Sequence, residues 1–254
     1  MTQSEPTYRV RLAENADDLL AAQRLRYDVF VDELGGSGAM VDHDARLERD
    51  EYDDVFDHLL LEDTARTDGP PLVGVYRVMR DDQAAKIGRF YSEDEYDLAP
   101  LRTSGRRLLE LGRSCLHRDY RGGAGMYVMW QALARYVEEH GLEVLFGVAS
   151  FHGTDTGALA HALSSLADRH LAPEEICVKS KAYEPMSILP PDQIDRRRAA
   201  VETPALIKAY LRLGGFVGDG AYIDHAFNTT DICLILDTTR MNDRQRAIYT
   251  GQRG

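Results

Sequence analysis

Between Leu108 and Gly125 the chain reads LLELGRSCLHRDYRGGAG. An apolar run suited to a buried strand here carries a carboxylate (Glu110), a glycine (Gly112) and a guanidinium (Arg113). Residues three apart on a regular strand point to opposite faces. A β-bulge at Gly112 would insert one residue and bring Glu110 and Arg113 to one site, leaving backbone N–H groups unpaired for a ligand. A carboxylate there suits proton acceptance, and free amides suit a developing oxyanion. The alternative is that Gly112 merely permits close packing and the two charges form a structural ion pair.

The turn that follows, Arg118-Asp119-Tyr120-Arg121-Gly122-Gly123-Ala124-Gly125, lies between that strand and a helical pattern. Amides at a helix N-terminus, glycines without side chains and the charges of Arg118 and Arg121 make an anion cradle. The turn does not match GxxxxGK[ST], and it follows an antiparallel-looking meander, so neither a P-loop nor a Rossmann fingerprint fits. The pyrophosphate or phosphodiester of a pantetheine carrier does.

The elements that must position these groups are readable. Tyr8 to Glu14 alternates as a strand, and Asp17 or Asp18 caps one helix running from there to Gly35-Gly36. An aperiodic acidic loop, VDHDARLERDEYDDVFD, leads to two strands, HLLLED and PLVGVYRVMR, joined through Gly69-Pro70-Pro71. After the turn come the helix MYVMWQALARYVEEHG, the apolar strand EVLFGVAS and the helix DTGALAHALSSLADRH. Thr203 as N-cap with Pro204 at the first position opens another helix, and two strands close the chain around Asn228-Thr229-Thr230. This order predicts an α/β fold, a mixed sheet with helices on its faces. It reads as a single domain over 1–254 with a helical or irregular insertion at about 155–202.

Composition narrows the function. A charge of −12 over 254 residues argues against general nucleic-acid binding and is compatible with a cationic substrate. No apolar run nears the ~20 residues that span a bilayer. The N-terminal stretch has no signal-peptide pattern, and three scattered cysteines form no disulfide framework or zinc site, so no metal is expected and a cytoplasmic location is. Cys115 lacks a partner that would make it an acyl acceptor, apart from nearby His117. His152 and His161 read as packing or surface histidines.

A strand bearing reactive groups, then an R-x-x-G-like turn, then a helix resembles the core of the GNAT N-acyltransferases, with Ala124 where the family usually has glycine. Two branches are closer. Acyl-homoserine lactone synthases carry R-x-x-x-F, E-x-D-x-x-D, a strand arginine and E-x-x-R; this chain has Arg26 and Phe30, Glu48, Asp50 and Asp53, Arg77, then Glu110 and Arg113. The second half, ALIKAYLRLGGFVGDGAYIDHAFNTTDICLIL, is instead similar to the ornithine lipid biosynthesis acyltransferases, as are RLRYDVFVDE, GVYRVMR and ELGRSCLHRDYRGG.

The resemblance implies a GNAT-like, mostly antiparallel central sheet flanked by helices. It implies transfer of a 3-hydroxyacyl chain from acyl carrier protein to the α-amine of ornithine, giving lyso-ornithine lipid. Other acceptors (lysine, glutamine, glycine, another amine), a lactone-synthase-like activity and a non-catalytic carrier- or lipid-binding module stay open. No cofactor is implied beyond the co-substrate, the acyl-4′-phosphopantetheine of the carrier or acyl-CoA. Glu110 and Arg113 would be catalytic. Arg118, Arg121, Gly122, Gly123 and Gly125 would hold the phosphopantetheine.

The acidic residues Glu48, Asp50 and Asp53 would receive the ornithine side-chain ammonium, and Arg26 or Arg77 a carboxylate. Without the resemblance, that loop reads as a solvated acidic turn. Arg26 shares a helix face with Ala22 and Phe30, where an unpaired guanidinium would be costly. The basic pair Arg106-Arg107 and the triplet Arg196–Arg198 suit an acidic carrier protein, anionic lipid headgroups or plain solvation. An amphipathic product would allow brief contact with a membrane surface.

Overall fold

The computed structural model describes residues 5–251; the outermost residues of the expected 1–254 domain, including the start of the N-terminal stretch, lie outside them. The chain begins with β1 (Tyr8–Leu12), α1 (Ala16–Arg26) and a short hairpin, β2 (Val41–Asp42) with β3 (Leu47–Glu48). Then come β4 (Asp57–Asp63), β5 (Leu72–Arg80), α2 (Asp81–Ile87), β6 (Tyr96–Asp97) and α3 (Ala99–Arg102). The central strands and helix follow as β7 (Leu108–Leu116), α4 (Gly125–Glu139) and β8 (Val144–His152). The remainder is α5 (Ala160–His170), β9 (Lys179–Ser180), α6 (Arg196–Glu202), α7 (Ala205–Arg212), β10 (Phe216–Val217), β11 (Tyr222–Asp224), β12 (Thr229–Asp237) and α8 (Asp243–Thr250).

Eight strands form one sheet in the order β1-β4-β5-β7-β8-β12-β10, with β11 also on β12. Every pairing in it is antiparallel except β7 with β8. Both faces are covered, which is why β4 reads as a continuous apolar run. Leu59 and Leu61 share a buried cluster with Met129 and Leu133 of α4, whereas Leu60, between them, clusters with Ala22 and Leu25 of α1. The stretch at about 155–202 packs on the same core: α5 buries Ala162, Leu163 and Leu166, and Ile176, Val178 and Met186 are also inside. No helix among the described residues is long and apolar enough to cross a membrane.

Several local expectations are corrected. The first helix is capped by Asn15, whose side chain accepts from Asp18 N at 3.0 Å, because Asp18 is engaged by Arg11 at 2.6 Å. Asp17 and Asp18 instead sit in the first turn, where negative charge suits the helix dipole. The helix also does not continue as α: Tyr27–Glu33 is π-helical, a widening that commonly marks functional sites. Inside the acidic loop, β2 and β3 pair, since Leu47 is buried and needs a seat. Thr203 does not cap α7; its hydroxyl donates to Ala199 O at 2.8 Å, closing α6, and Pro204 takes the cap position. The segment 81–107 and helix α8 carry structure that no sequence period announced.

Candidate active site

The site is made by two strands parting. β7 pairs with β8 only over Leu108–Glu110 against Val144–Phe146. On its other edge, β5 pairs Arg77 with Gly112 and Val75 with Cys115, so Tyr76 faces both Arg113 and Ser114. That is the anticipated bulge, one residue later than expected. Its extra residue is Arg113, held at φ +50°, a left-handed conformation that costs a non-glycine residue about 1–2 kcal/mol. Gly112 is not what permits it: a Cβ there would meet nothing within 4 Å. Gly112→Ala is therefore expected to change stability by no more than about 0.5 kcal/mol. A larger loss on chemical denaturation would return the bulge to Gly112.

β7 and β8 part after Glu110, just ahead of the bulge, whose added twist turns β7 further from β8. A cavity of about 300 Å³ opens between them. Its apolar end is walled by Tyr76, Leu111 and Leu206, and its polar end by Arg113, Glu95 and Asp231.

Behind the cavity lies a buried ion network. Arg26, 0% exposed, donates to Glu48 Oε2 at 2.5 Å, to Glu48 O at 2.6 Å and to both Asp53 oxygens at 2.6 and 2.8 Å. Arg77, also 0% exposed, donates through Nη1 to Asp50 at 2.7 Å and Asp53 at 2.8 Å, and lies 4.3 Å over the Phe56 ring. Arg113 Nε reaches Glu48 Oε1 at 2.9 Å. Burial opposes ionisation of Asp53, yet the Arg26 hydrogen bonds and charge, with Arg77 behind, hold its carboxyl well below the usual carboxylate range.

Three guanidiniums and three carboxylates thus balance one another in charge, although Asp50 Oδ2 and the Nε and Nη2 of Arg77 are buried without a hydrogen-bond partner among the described residues. This geometry departs from the expectation that Glu48, Asp50 and Asp53 receive an ammonium while Arg26 or Arg77 takes a carboxylate: their side chains face each other. Of the residues assigned to the acceptor, only Phe30 lines the cavity, aimed there by the π-helical turn.

Glu110 is 1% exposed and accepts from Tyr91 N at 2.8 Å and Ser92 N at 2.6 Å. Burial pushes its carboxyl up to about 7 against those hydrogen bonds. It is not among the cavity walls, so the structure does not place it where a proton acceptor would touch substrate. Its link to Arg113 runs through Tyr91, whose amide it fixes and whose hydroxyl accepts from Arg113 Nη2 at 3.2 Å. Cys115 is buried and its thiol is pushed up to about 12 by burial, so it stays protonated.

The carboxyls that do face the cavity are Glu95 and Asp231, neither singled out from the sequence. Asp231 left a readable signal, as a charge on a strand face it shares with Cys233 and Ile235. Glu95 left none, since SEDEYD looks like a solvated acidic turn.

At the glycine turn, Gly122 has φ +77°, and α4 begins at Gly125, where a Cβ would come within 3.1 Å of Leu61. The first amide there with a helical acceptor is Val128 N, to Ala124 O at 3.0 Å. Arg121 and Arg118 both lean on Glu33, at 2.8 and 3.4 Å, while staying open to solvent. Arg106 and Arg107 are taken by Glu143, Asp237 and Asp81, which leaves the Arg196–Arg198 triplet the more available basic surface, although Arg198 pairs with Glu202 at 2.5 Å.

A model of the acetyltransferase (GNAT) domain matches residues 25–131. Among solved structures, the chain resembles BjaI, a CoA-dependent acyl-homoserine lactone synthase bound to MTA (TM-score 0.54, 15% identity, 97% of this chain and 89% of that one). It also resembles FeeM, an N-acyl amino acid synthase from uncultured soil microbes (TM-score 0.51, 13% identity, 93% and 95%). Likeness at that identity establishes the GNAT-like fold. Curated sequences are nearer. The L-ornithine N(alpha)-acyltransferase of Rhodobacter capsulatus is 54% identical over 246 residues, 96% of this chain and 95% of that protein. Those of Brucella abortus and Rhizobium meliloti are 40% and 37% identical, over 94% and 96% of this chain and 88% and 84% of theirs. With the parted strands, the glycine turn and near full-length identity in hand, the chain belongs to the L-ornithine N(alpha)-acyltransferase family.

Proposed function

We propose that the protein transfers an acyl chain from a phosphopantetheine thioester to the α-amine of L-ornithine, with a 3-hydroxyacyl carrier protein as donor. The observation that carries this reading is the cavity between β7 and β8, which has an apolar end, a polar end and a bulged strand between them. The acyl chain takes the apolar end beside Tyr76, Leu111 and Leu206. The phosphate rests on the amides of Gly122, Gly123 and Gly125, with Arg118 and Arg121 beside it. The amino acid enters from the polar end, and Phe30 packs against its carbons.

The α-amine attacks as the neutral base. Its N–C bond forms as the C–S bond breaks, and the proton leaving nitrogen ends on the thiol sulfur. Unpaired amides at the bulge stabilise the oxyanion formed on the way. Arg113 supports that charge from the cavity wall. Glu110 acts by fixing the Tyr91–Ser92 backbone, and the network of Arg26, Glu48, Asp50, Asp53 and Arg77 holds Arg113 and the π-helical turn in place. The Arg196–Arg198 triplet is the docking surface for the acidic carrier. The amphipathic product leaves through brief contact with the membrane surface.

The test is to incubate the purified protein with 3-hydroxyacyl carrier protein, or with the matching acyl-CoA, and a panel of L-ornithine, L-lysine, L-glutamine and glycine. Mass spectrometry should find Nα-acylornithine with stoichiometric free thiol, faster from the carrier protein. Absence of amide product from both donors would sink the reading, and faster turnover of another acceptor would reassign it.

A further inference from the structure

The cavity contains two carboxyls that the ion network does not neutralise. Glu95 follows the turn Tyr91–Asp94, and Asp231 sits on β12 opposite Ser150 of β8. They are 7% and 3% exposed, yet Glu95 Oε2 and Asp231 Oδ1 have no hydrogen-bond partner among the described residues. Buried polar atoms are seldom left this way without a water, an ion or a ligand to complete them, and these two line a cavity with room for one. Arg113 faces the same space, but its charge is engaged by Glu48 at 2.9 Å and Asp50 at 3.7 Å. The three arginines and three carboxylates of the network sum to zero, so these two carboxyls are extra charge.

Burial is the largest cause raising both; Asp231 and Asp224 push Glu95 further up, whereas Asp231 is drawn down by the side-chain hydroxyls of Ser150 and Thr229 and up by Asp224, and the charge of Arg113 draws both down in part. Asp224 is itself committed to a turn, accepting from Ala226 N at 2.7 Å and Phe227 N at 3.0 Å. Two groups that act on each other in this way titrate together, so the pair keeps a proton to higher pH than a free carboxyl would.

We propose that Glu95 and Asp231 form the subsite that receives the side-chain ammonium of a diamino acid, selecting such acceptors over neutral amino acids. The inference deepens the acyl-transfer reading and rests on it. The α-amine must be neutral to attack, so the ammonium that remains for the protein to hold is the one on the side chain. In that reacting form ornithine keeps one ammonium, at the end of its side chain, and it is this single positive charge that faces the pair. An ammonium seated between the two oxygens completes both unpartnered atoms and releases the shared proton to solvent. An acceptor without that ammonium leaves a desolvated charge uncompensated.

The discriminating acceptor is L-norvaline, which has ornithine's carbon chain without the terminal nitrogen. The wild type is expected to favour ornithine over norvaline in kcat/KM by about 100-fold or more. In Asp231→Asn and in Glu95→Gln that ratio should collapse by about 100-fold, because ornithine loses its partner and norvaline had none. Equal losses on both acceptors, or a ratio that survives in either variant, would overturn the subsite. Should a variant fail to fold, calorimetry on the wild type alone decides: equal affinity for ornithine and norvaline also overturns it. Wild-type protein that acylates neither compound would instead count against the acyl-transfer reading itself.

Discussion

Arg26→Ala is expected to destabilise the protein by about 3–5 kcal/mol, since it leaves the buried carboxylates of Glu48, Asp50 and Asp53 facing two guanidiniums in place of three. Glu48 is fully buried and Asp53 nearly so, and Arg26 makes four hydrogen bonds between them. Arg26→Lys should fall between, because a single ammonium cannot reach both carboxylates with the planar fork of a guanidinium. Arg196→Ala, on an exposed helix, should change stability by less than about 0.5 kcal/mol and serves as the control. Urea denaturation, or soluble yield where the variant cannot be purified, reads the difference. A folded Arg26→Ala protein of ordinary stability with only a raised KM for the acceptor would show that Arg26 binds substrate after all.

The second large effect is on stability as a function of pH. Glu110 in the folded chain titrates near 7 against an ordinary value of 4.5, so the folded state holds a proton over that window which the unfolded chain has given up. Binding more protons when folded means that stability falls as pH rises through the window, by about 3 kcal/mol for a shift of this size. Glu95 and Asp231, also raised, act in the same direction. Asp18 and Asp53, held low by Arg11 and Arg26, act oppositely and lose their contribution only in stronger acid. Thermal midpoints should therefore peak near about pH 5 and decline toward pH 8. Glu110→Gln should flatten the decline between about pH 4.5 and 7. An identical slope in that variant would place Glu110's proton elsewhere. Because the residue positions Tyr91 and does not line the cavity, the variant should lower kcat without moving the pH dependence of kcat/KM.

What could be read from the residues follows from how local each signal is. β4, β5, β8, α4 and α5 have periods or apolar runs that packing on two faces dictates, and they lie where expected. Arg26 is as deeply placed as its neighbours Ala22 and Phe30 implied. The partners of that arginine were not readable, because Glu48 and Asp53 reach it only after β2 and β3 fold back over α1. The π-helical turn escaped for a similar reason: Tyr27–Glu33 continues the helical pattern of the residues before it, and its winding is decided by tertiary contacts. The bulge was foreseen from a glycine that does not cause it. Asp231 was visible as one charge on an apolar strand face, whereas Glu95 becomes buried only because the turn Tyr91–Asp94 is pinned to Glu110.

The ion network also bears on how the enzyme answers to ionic strength. Its six charges sum to zero and their side chains are no more than 13% exposed, so a Debye length shortened by added salt acts on them far less than on surface charges. An encounter between the Arg196–Arg198 surface and an acidic carrier has no such shelter. Titrating potassium chloride at fixed pH should therefore slow acyl transfer from the carrier protein while thermal midpoints hold steady, and transfer from acyl-CoA should respond less. In this protein, salt separates the electrostatics of meeting a donor from the electrostatics of being folded.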